Sequence, residues 1–324
     1  MFQVKALQVF ALLLLCTSGL ALAQDGLPPG PPAGRAPLVE CVEGEDIPCV
    51  EIVDEISDVV GIWRRYFEGG TAMAFTVYTE DGEFGITLDP QGVPNIAGTI
   101  TFEAGLALIA ASEDSPAPPE CIAPGTYELR VIRLGNQPVA LTYFQIEDAC
   151  PGRIGDLTEP MLYYTVAEVA ELDPDVDALA QPLIPCSDQM DSDVAAYPCD
   201  EIVTSSEDVA GVWKQYMGNP NLAAPMGMGH IRYLEDGRYF LADTPENTMA
   251  IYENYPYGTI SVNESIVTIT VDAQTLPACE TADYHLRVIK FGDQPVALTY
   301  TIVTDDCLPR RGDLGEALIW IITE

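Results

Sequence analysis

Tyr127-Glu-Leu-Arg-Val-Ile132, followed by Gly135-Asn-Gln-Pro-Val-Ala-Leu-Thr-Tyr143, returns almost unchanged as Tyr284-His-Leu-Arg-Val-Ile289 and Gly292-Asp-Gln-Pro-Val-Ala-Leu-Thr-Tyr300. Each stretch is a pair of apolar, β-branched-rich runs around a Gly-Asn or Gly-Asp turn, which reads as a long β-hairpin. The echo extends outward in both directions. Cys49-Val-Glu-Ile-Val53 and Val59-Val-Gly-Ile-Trp63 match Cys199-Asp-Glu-Ile-Val203 and Val209-Ala-Gly-Val-Trp213, and the segment Asp148 to Leu157 matches Asp305 to Leu314. One domain is therefore written twice, and a residue type kept in both copies is a candidate for what the fold requires.

Other short runs within each copy carry the same signal. Phe75-Thr-Val-Tyr78, Glu80-Asp-Gly82 and Glu83 to Leu88 form a hairpin pattern that His230 to Tyr233, Glu235-Asp-Gly237 and Arg238 to Leu241 repeat. Gly98 to Phe102 with Leu106 to Ile109, and Gly258 to Val262 with Ile266 to Val271, supply the next strands. Pro160 to Tyr164 and Ala317 to Ile322 close the two units, and only Cys49 to Trp63 and Cys199 to Trp213 read as partly helical. Seven or eight consecutive antiparallel strands favour an up-and-down barrel, because closure removes exposed sheet edges. The fold class expected is all-β: two tandem antiparallel up-and-down β-barrels, each with a short helical segment near its start. Their expected bounds are 38–165 and 186–324, joined by a linker over 166–185.

The chain opens with Lys5, an apolar run from Val9 to Leu15, and Ala21-Leu-Ala23, the order of a secretory signal peptide cleaved after Ala23. A lipid anchor on Cys16 is disfavoured by the Leu13-Leu14-Leu15 before it. Residues 1–23 are thus read as signal, and the Pro/Gly-rich stretch 24–37 as a leader outside the fold. No further apolar run is long enough to predict a membrane span. The net charge of −36 excludes nucleic acid and anionic membrane surfaces as partners and suits a hydrated, extracytoplasmic surface.

Eight of the nine cysteines follow the signal, four in each copy, and an even count in an exported chain reads as disulfides. Zinc is the rival, but tight Cys-x-x-Cys pairs and a shared histidine are missing from the sequence. Residues that face each other across a hairpin have numbers with a constant sum. A turn centred on Asn136 and Gln137 sets Cys121 nearly opposite Cys150, and one centred on Asp293 and Gln294 does the same for Cys279 and Cys307. By elimination Cys41 pairs with Cys49 and Cys186 with Cys199.

Gly61-Ile-Trp63 and Gly211-Val-Trp213, Thr281-Ala-Asp-Tyr284, and Gly152-Arg153 with Pro309-Arg310 resemble the short motifs of the lipocalins and their wider superfamily of ligand-binding barrels. The resemblance implies that Gly61, Trp63, Arg153 and Gly211, Trp213, Arg310 define the fold, with the arginine packed across the tryptophan at the closed barrel end. It also implies a ligand site inside the barrel. Whether Arg130, Ile132, Leu141 and Tyr143 line that interior depends on the hairpin register, since a slip of one residue exchanges the faces.

Catalytic chemistry finds little support. His230 and His285 occur only in the second copy, opposite Phe75 and Glu128 of the first, so a shared histidine-based site is excluded. Asp173, Asp175 and Asp177 miss the glycine and closing glutamate of a calcium loop, and the Gly-Asp of Arg311-Gly-Asp313 recurs without its arginine as Gly155-Asp156. Asn263-Glu-Ser265 is a glycosylation sequon. The expectation is an exported, non-enzymatic protein without cofactor or metal, whose barrels take a small, mainly apolar ligand. The alternative is an interaction module with solid barrels that offers loop aromatics such as Tyr252, Tyr255 and Tyr257 to a protein or glycan.

Overall fold

The computed structural model describes residues 36–321 apart from 69, 165–175, 187–195, 219–224, 253–254 and 273–278. The signal-peptide reading, Cys16, Asp173 and Asp175 lie outside the described residues. In the first copy the strands are β1 (Pro48–Val53), β2 (Gly61–Phe67), β3 (Ala72–Tyr78), β4 (Glu83–Thr87), β5 (Ile96–Glu103), β6 (Leu106–Ala111), β7 (Gly125–Leu134), β8 (Gln137–Glu147) and β9 (Met161–Tyr163). Neighbours from β2 to β9 pair antiparallel, and β9 returns to β2, so eight strands close. The second copy repeats this with β10 (Pro198–Ile202), β11 (Gly211–Gly218), β12 (Pro225–Tyr233), β13 (Arg238–Ala242), β14 (Tyr257–Asn263), β15 (Ile266–Val271), β16 (Thr281–Phe291), β17 (Gln294–Thr304) and β18 (Leu318–Trp320). The protein is a tandem of two closed, eight-stranded antiparallel barrels.

The ninth strand of each copy, β1 or β10, lies where the sequence suggested helix. β6 covers β7 only from Gly125 to Tyr127, and β1 takes over the same edge from Leu129 to Leu134. An uncovered edge would leave backbone donors and acceptors without partners, which outweighs the weak helical pattern of Cys49 to Val53. The helical part shrinks to one turn at Ile56–Asp58, and the helices α1 (Pro119–Ile122), α2 (Pro151–Asp156) and, in the second copy, α3 (Leu308–Asp313) appear instead near the far end of the strands.

All four disulfides join the expected partners: Cys41 with Cys49, Cys121 with Cys150, Cys186 with Cys199, and Cys279 with Cys307. The Cys121–Cys150 bond spans 29 residues and, on a chain-entropy argument, stabilises by about 3–4 kcal/mol.

The hairpin register divides the four residues left open by the sequence. Leu134 faces Gln137 across the turn, but a bulge after Ile132 shifts the ladder by one, so Leu129 faces Tyr143 and Val131 faces Leu141. Leu129, Val131, Leu141 and Tyr143 therefore enter the barrel core with Trp63, Ile100, Ile109 and Met161. Arg130 and Ile132 point outward yet are as buried, at 0 % and 2 % exposure.

They are buried because the barrels share a third apolar core. Leu38, Val50, Tyr66, Ile132, Val139 and Leu162 of the first copy pack with Leu183, Ile184, Tyr216, Ile289, Val296 and Ile319 of the second. The repeated hairpin is thus apolar on both faces, one filling a barrel and the other the joint. Leu183 and Ile184, at the end of the 166–185 segment, join this core as Leu38 does, and each short leader adds a parallel bridge, Glu40 to Val50 and Pro185 to Asp200.

Candidate ligand cavity in the first barrel

Gly61 and Gly211 begin β2 and β11 with φ of +142° and +146°. A Cβ at Gly61 would lie 2.8 Å from the Tyr163 ring, and one at Gly211 would lie 2.1 Å from the Trp320 ring. Glycine is required there by both the backbone and the aromatic lid above it. Trp63 and Trp213 follow, each donating its indole N–H to the carbonyl of Val59 or Val209 at 2.8 and 2.9 Å and meeting Tyr163 or Trp320 edge-on. Both tryptophans are buried in the cores of their barrels.

Arg153 and Arg310 do not pack across the tryptophans. They sit on α2 and α3, which follow β8 and β17 at the opposite end. Arg153 holds Asp148 through two contacts, at 2.5 and 2.7 Å, and donates to the carbonyls of Cys121 and Ala123. Arg310 repeats the pattern with Asp305, Cys279 and Thr281. Tyr127 and Tyr284 donate to the same aspartates. Burial alone would raise the Asp148 carboxyl, but the bonds from Arg153, Tyr127 and the Cys150 N–H outweigh it and hold it below its ordinary range. The shared Arg–Asp–Tyr cluster clamps the helix and the disulfide at that end, a structural role in both copies.

Beneath the clamp of the first barrel lies a cavity of about 470 Å³. Its walls are mostly apolar, from Phe67, Phe84, Ile86, Ile96, Ile109 and Leu157, and its rim includes the exposed Pro118, Pro151 and Gly152. The Cys121–Cys150 disulfide forms part of the lining. Tyr78 shares a 2.6 Å hydrogen bond with Tyr143 at the inner end, and burial pushes both hydroxyls up, so both stay protonated.

Polar side chains interrupt this lining: Glu68, Arg153 and Asp156, and the buried Arg65 and Thr76. Arg65 on β2 is 3 % exposed, donates from Nε to the Tyr66 carbonyl at 3.0 Å, and sets Nη2 3.3 Å from Asp156 Oδ2. Thr76 on β3 is 1 % exposed, and its Oγ1 has no hydrogen-bond partner among the described residues. Neither residue is evident from motifs. The signal that finds them is the difference between the copies: Thr76 faces Trp63 across its ladder as Ile231 faces Trp213, and Arg65 stands where Gln215 does. Ala111, against Gly98, likewise corresponds to Val271, against Gly258.

Other sequence candidates fall outside this site. Nδ1 of His230 lies 3.1 Å from the Asp243 carbonyl and that of His285 3.0 Å from the Ser265 carbonyl, on separate strands. Arg311-Gly-Asp313 is helical, with Gly312 buried. Asn263 is exposed at the end of β14. Tyr255 packs against the second barrel's core and lies 5.4 Å from the exposed Tyr252, while the half-buried Tyr257 begins β14. Among the described residues no group of histidine, cysteine and acidic side chains is arranged to hold a metal ion, and no helix is long and apolar enough to cross a membrane. Comparison with known protein families, with curated proteins and with solved structures returns no match.

Proposed function

We propose that this is an exported binding protein whose first barrel takes up a small, mainly apolar molecule without chemical turnover. The observation that carries the reading is the cavity: about 470 Å³, walled by aliphatic and aromatic side chains, with a few polar groups at fixed points. That size and lining suit small-molecule sites. Four disulfides suit an oxidising, extracytoplasmic setting. The Arg–Asp–Tyr clamp belongs to both copies and is assigned to the fold rather than to binding.

Native mass spectrometry of the purified protein, before and after organic extraction, tests this directly. A stoichiometric apolar adduct, lost on extraction and blocked by Ala111→Leu, supports carriage in barrel 1. A clean mass that stays clean after incubation with a mixture of lipids and pigments removes the reading. It would favour a second one, a module that presents loops to a protein or glycan. Leu88 and Val93 support that alternative, as do Met249 and Ile251, all strongly exposed at the same strand connection of each barrel.

A further inference from the structure

We propose that the ligand of barrel 1 carries a neutral carbonyl group at its buried end, which accepts hydrogen bonds from Thr76 and Arg65. This deepens the binding reading above and rests on it. Thr76 Oγ1 is buried, lines the cavity and bonds nothing among the described residues. A hydroxyl in that state is costly unless something entering the cavity pairs with it. Arg65 Nη2 is likewise short of a well-aligned hydrogen bond, its Asp156 contact being an ion pair at 3.3 Å.

Both residues face the interior of the β2–β3 ladder on adjacent inward rungs, since Trp63 pairs with Thr76 and Arg65 with Ala74. Such diagonal neighbours lie within joint reach of one long side chain or ligand group. Two buried donors on neighbouring rungs of one wall of a mostly apolar cavity call for an acceptor oxygen.

The fold does not need this pair. The second barrel closes in the same way with Ile231 in place of Thr76 and Gln215 in place of Arg65. A polar pair that one copy dispenses with is free to serve the ligand. Charge then decides the oxygen's type. Asp156 neutralises Arg65, so the polar end carries no net charge, and an ionised carboxylate would have to be buried beside another carboxylate. The chain's net charge of −36 works further against an anion. A ketone, aldehyde, ester or amide oxygen meets the donors without that cost.

Three probes of matched shape separate the possibilities: 2-ethylnaphthalene, 2-acetylnaphthalene and 2-naphthoate, each titrated by calorimetry into the full-length protein and into Thr76→Val. The ketone is expected to bind wild type about 10-fold more tightly than the hydrocarbon, which corresponds to ~1.4 kcal/mol. The naphthoate is expected to bind more weakly than the ketone. In Thr76→Val the ketone should fall to near parity with the hydrocarbon, whose affinity stays unchanged. Equal affinities for ketone and hydrocarbon in wild type, or a ketone preference that survives the substitution, overturn the proposal, and so does tightest binding by naphthoate. Binding of the hydrocarbon alone leaves the carriage reading standing while this one falls, whereas binding of no probe removes both. Thermal unfolding supplies an independent check, because losing an unpaired buried hydroxyl should leave Thr76→Val at least as stable as wild type. A clear loss of stability would show that the hydroxyl is already paired within the protein.

Discussion

Arg130 and Arg287 occupy the same position of the repeated hairpin, and each crosses into the other barrel: Arg130 Nη1 lies 2.9 Å from Glu316, and Arg287 Nη2 lies 2.8 Å from Glu159. Those glutamates are themselves equivalent, two residues beyond Leu314 and Leu157. The tyrosines complete the exchange. Arg130 donates to the Tyr216 hydroxyl at 2.8 Å, and the Arg287 guanidinium lies 4.7 Å from the Tyr66 ring centre. Tyr66 reaches the Gln181 carbonyl and Tyr216 the Ala36 carbonyl, so each barrel also holds the leader of the other. The joint has the reciprocal form of a two-fold dimer interface, built within one chain. The halves differ in the second carboxylate, Glu128 for Arg130 and Asp200 for Arg287, and in the neighbour of the guanidinium, where Phe144 stacks on Arg130 and Thr301 bonds Glu159 beside Arg287.

Removing one arginine from this joint leaves carboxylates buried without their cation. Arg130→Met is expected to destabilise the protein by about 3–5 kcal/mol in urea unfolding. Replacing Arg130, Glu128 and Glu316 together with methionine should restore most of that loss. A triple variant as unstable as the single one would show that the arginine acts through its packing rather than its charge.

Gly61→Ala must accommodate both a φ of +142° and the Tyr163 ring. A strained backbone of this kind costs about 1–3 kcal/mol, and a lower Tm is expected in calorimetry. Gly211→Ala, with Trp320 closer, should lose more. Equal stability of Gly61→Ala and wild type would mean that the strand start shifts freely.

Asp148 makes stability depend on acid. Its folded carboxyl is held below the unfolded value near 3.8, so the unfolded chain binds the proton first. The stabilisation is present above that value and is lost as pH falls through the folded one. Asp148→Asn is expected to lower the Tm at pH 7 and to flatten the fall of Tm between about pH 5 and 2. An unchanged acid limb in this variant would transfer the effect to other carboxylates.

Much of this architecture could be read from the residues alone. The duplication and the turn residues specified two antiparallel barrels, and hairpin arithmetic paired Cys121 with Cys150 and Cys279 with Cys307 and left the other four cysteines to elimination, because these features are local in the chain or repeat within it. Gly61 and Trp63 were visible as motif residues, although the reason for the glycine is a ring from the last strand, about a hundred residues away. Tertiary structure alone decided the rest. A bulge after Ile132 set which hairpin face enters the barrel, and a pattern apolar on both faces could not reveal it. The partners of Arg130 and Arg287 come from the other copy, so no spacing within one copy shows them. Thr76 and Arg65 look like ordinary strand residues until closure of the sheet turns them into a cavity, where a hydroxyl without a partner among the described residues and an ion-paired guanidinium stand against a mostly apolar wall. Sequence set the strands and their clips because those follow from neighbouring residues, whereas the site arises from side chains that meet only when the barrel shuts.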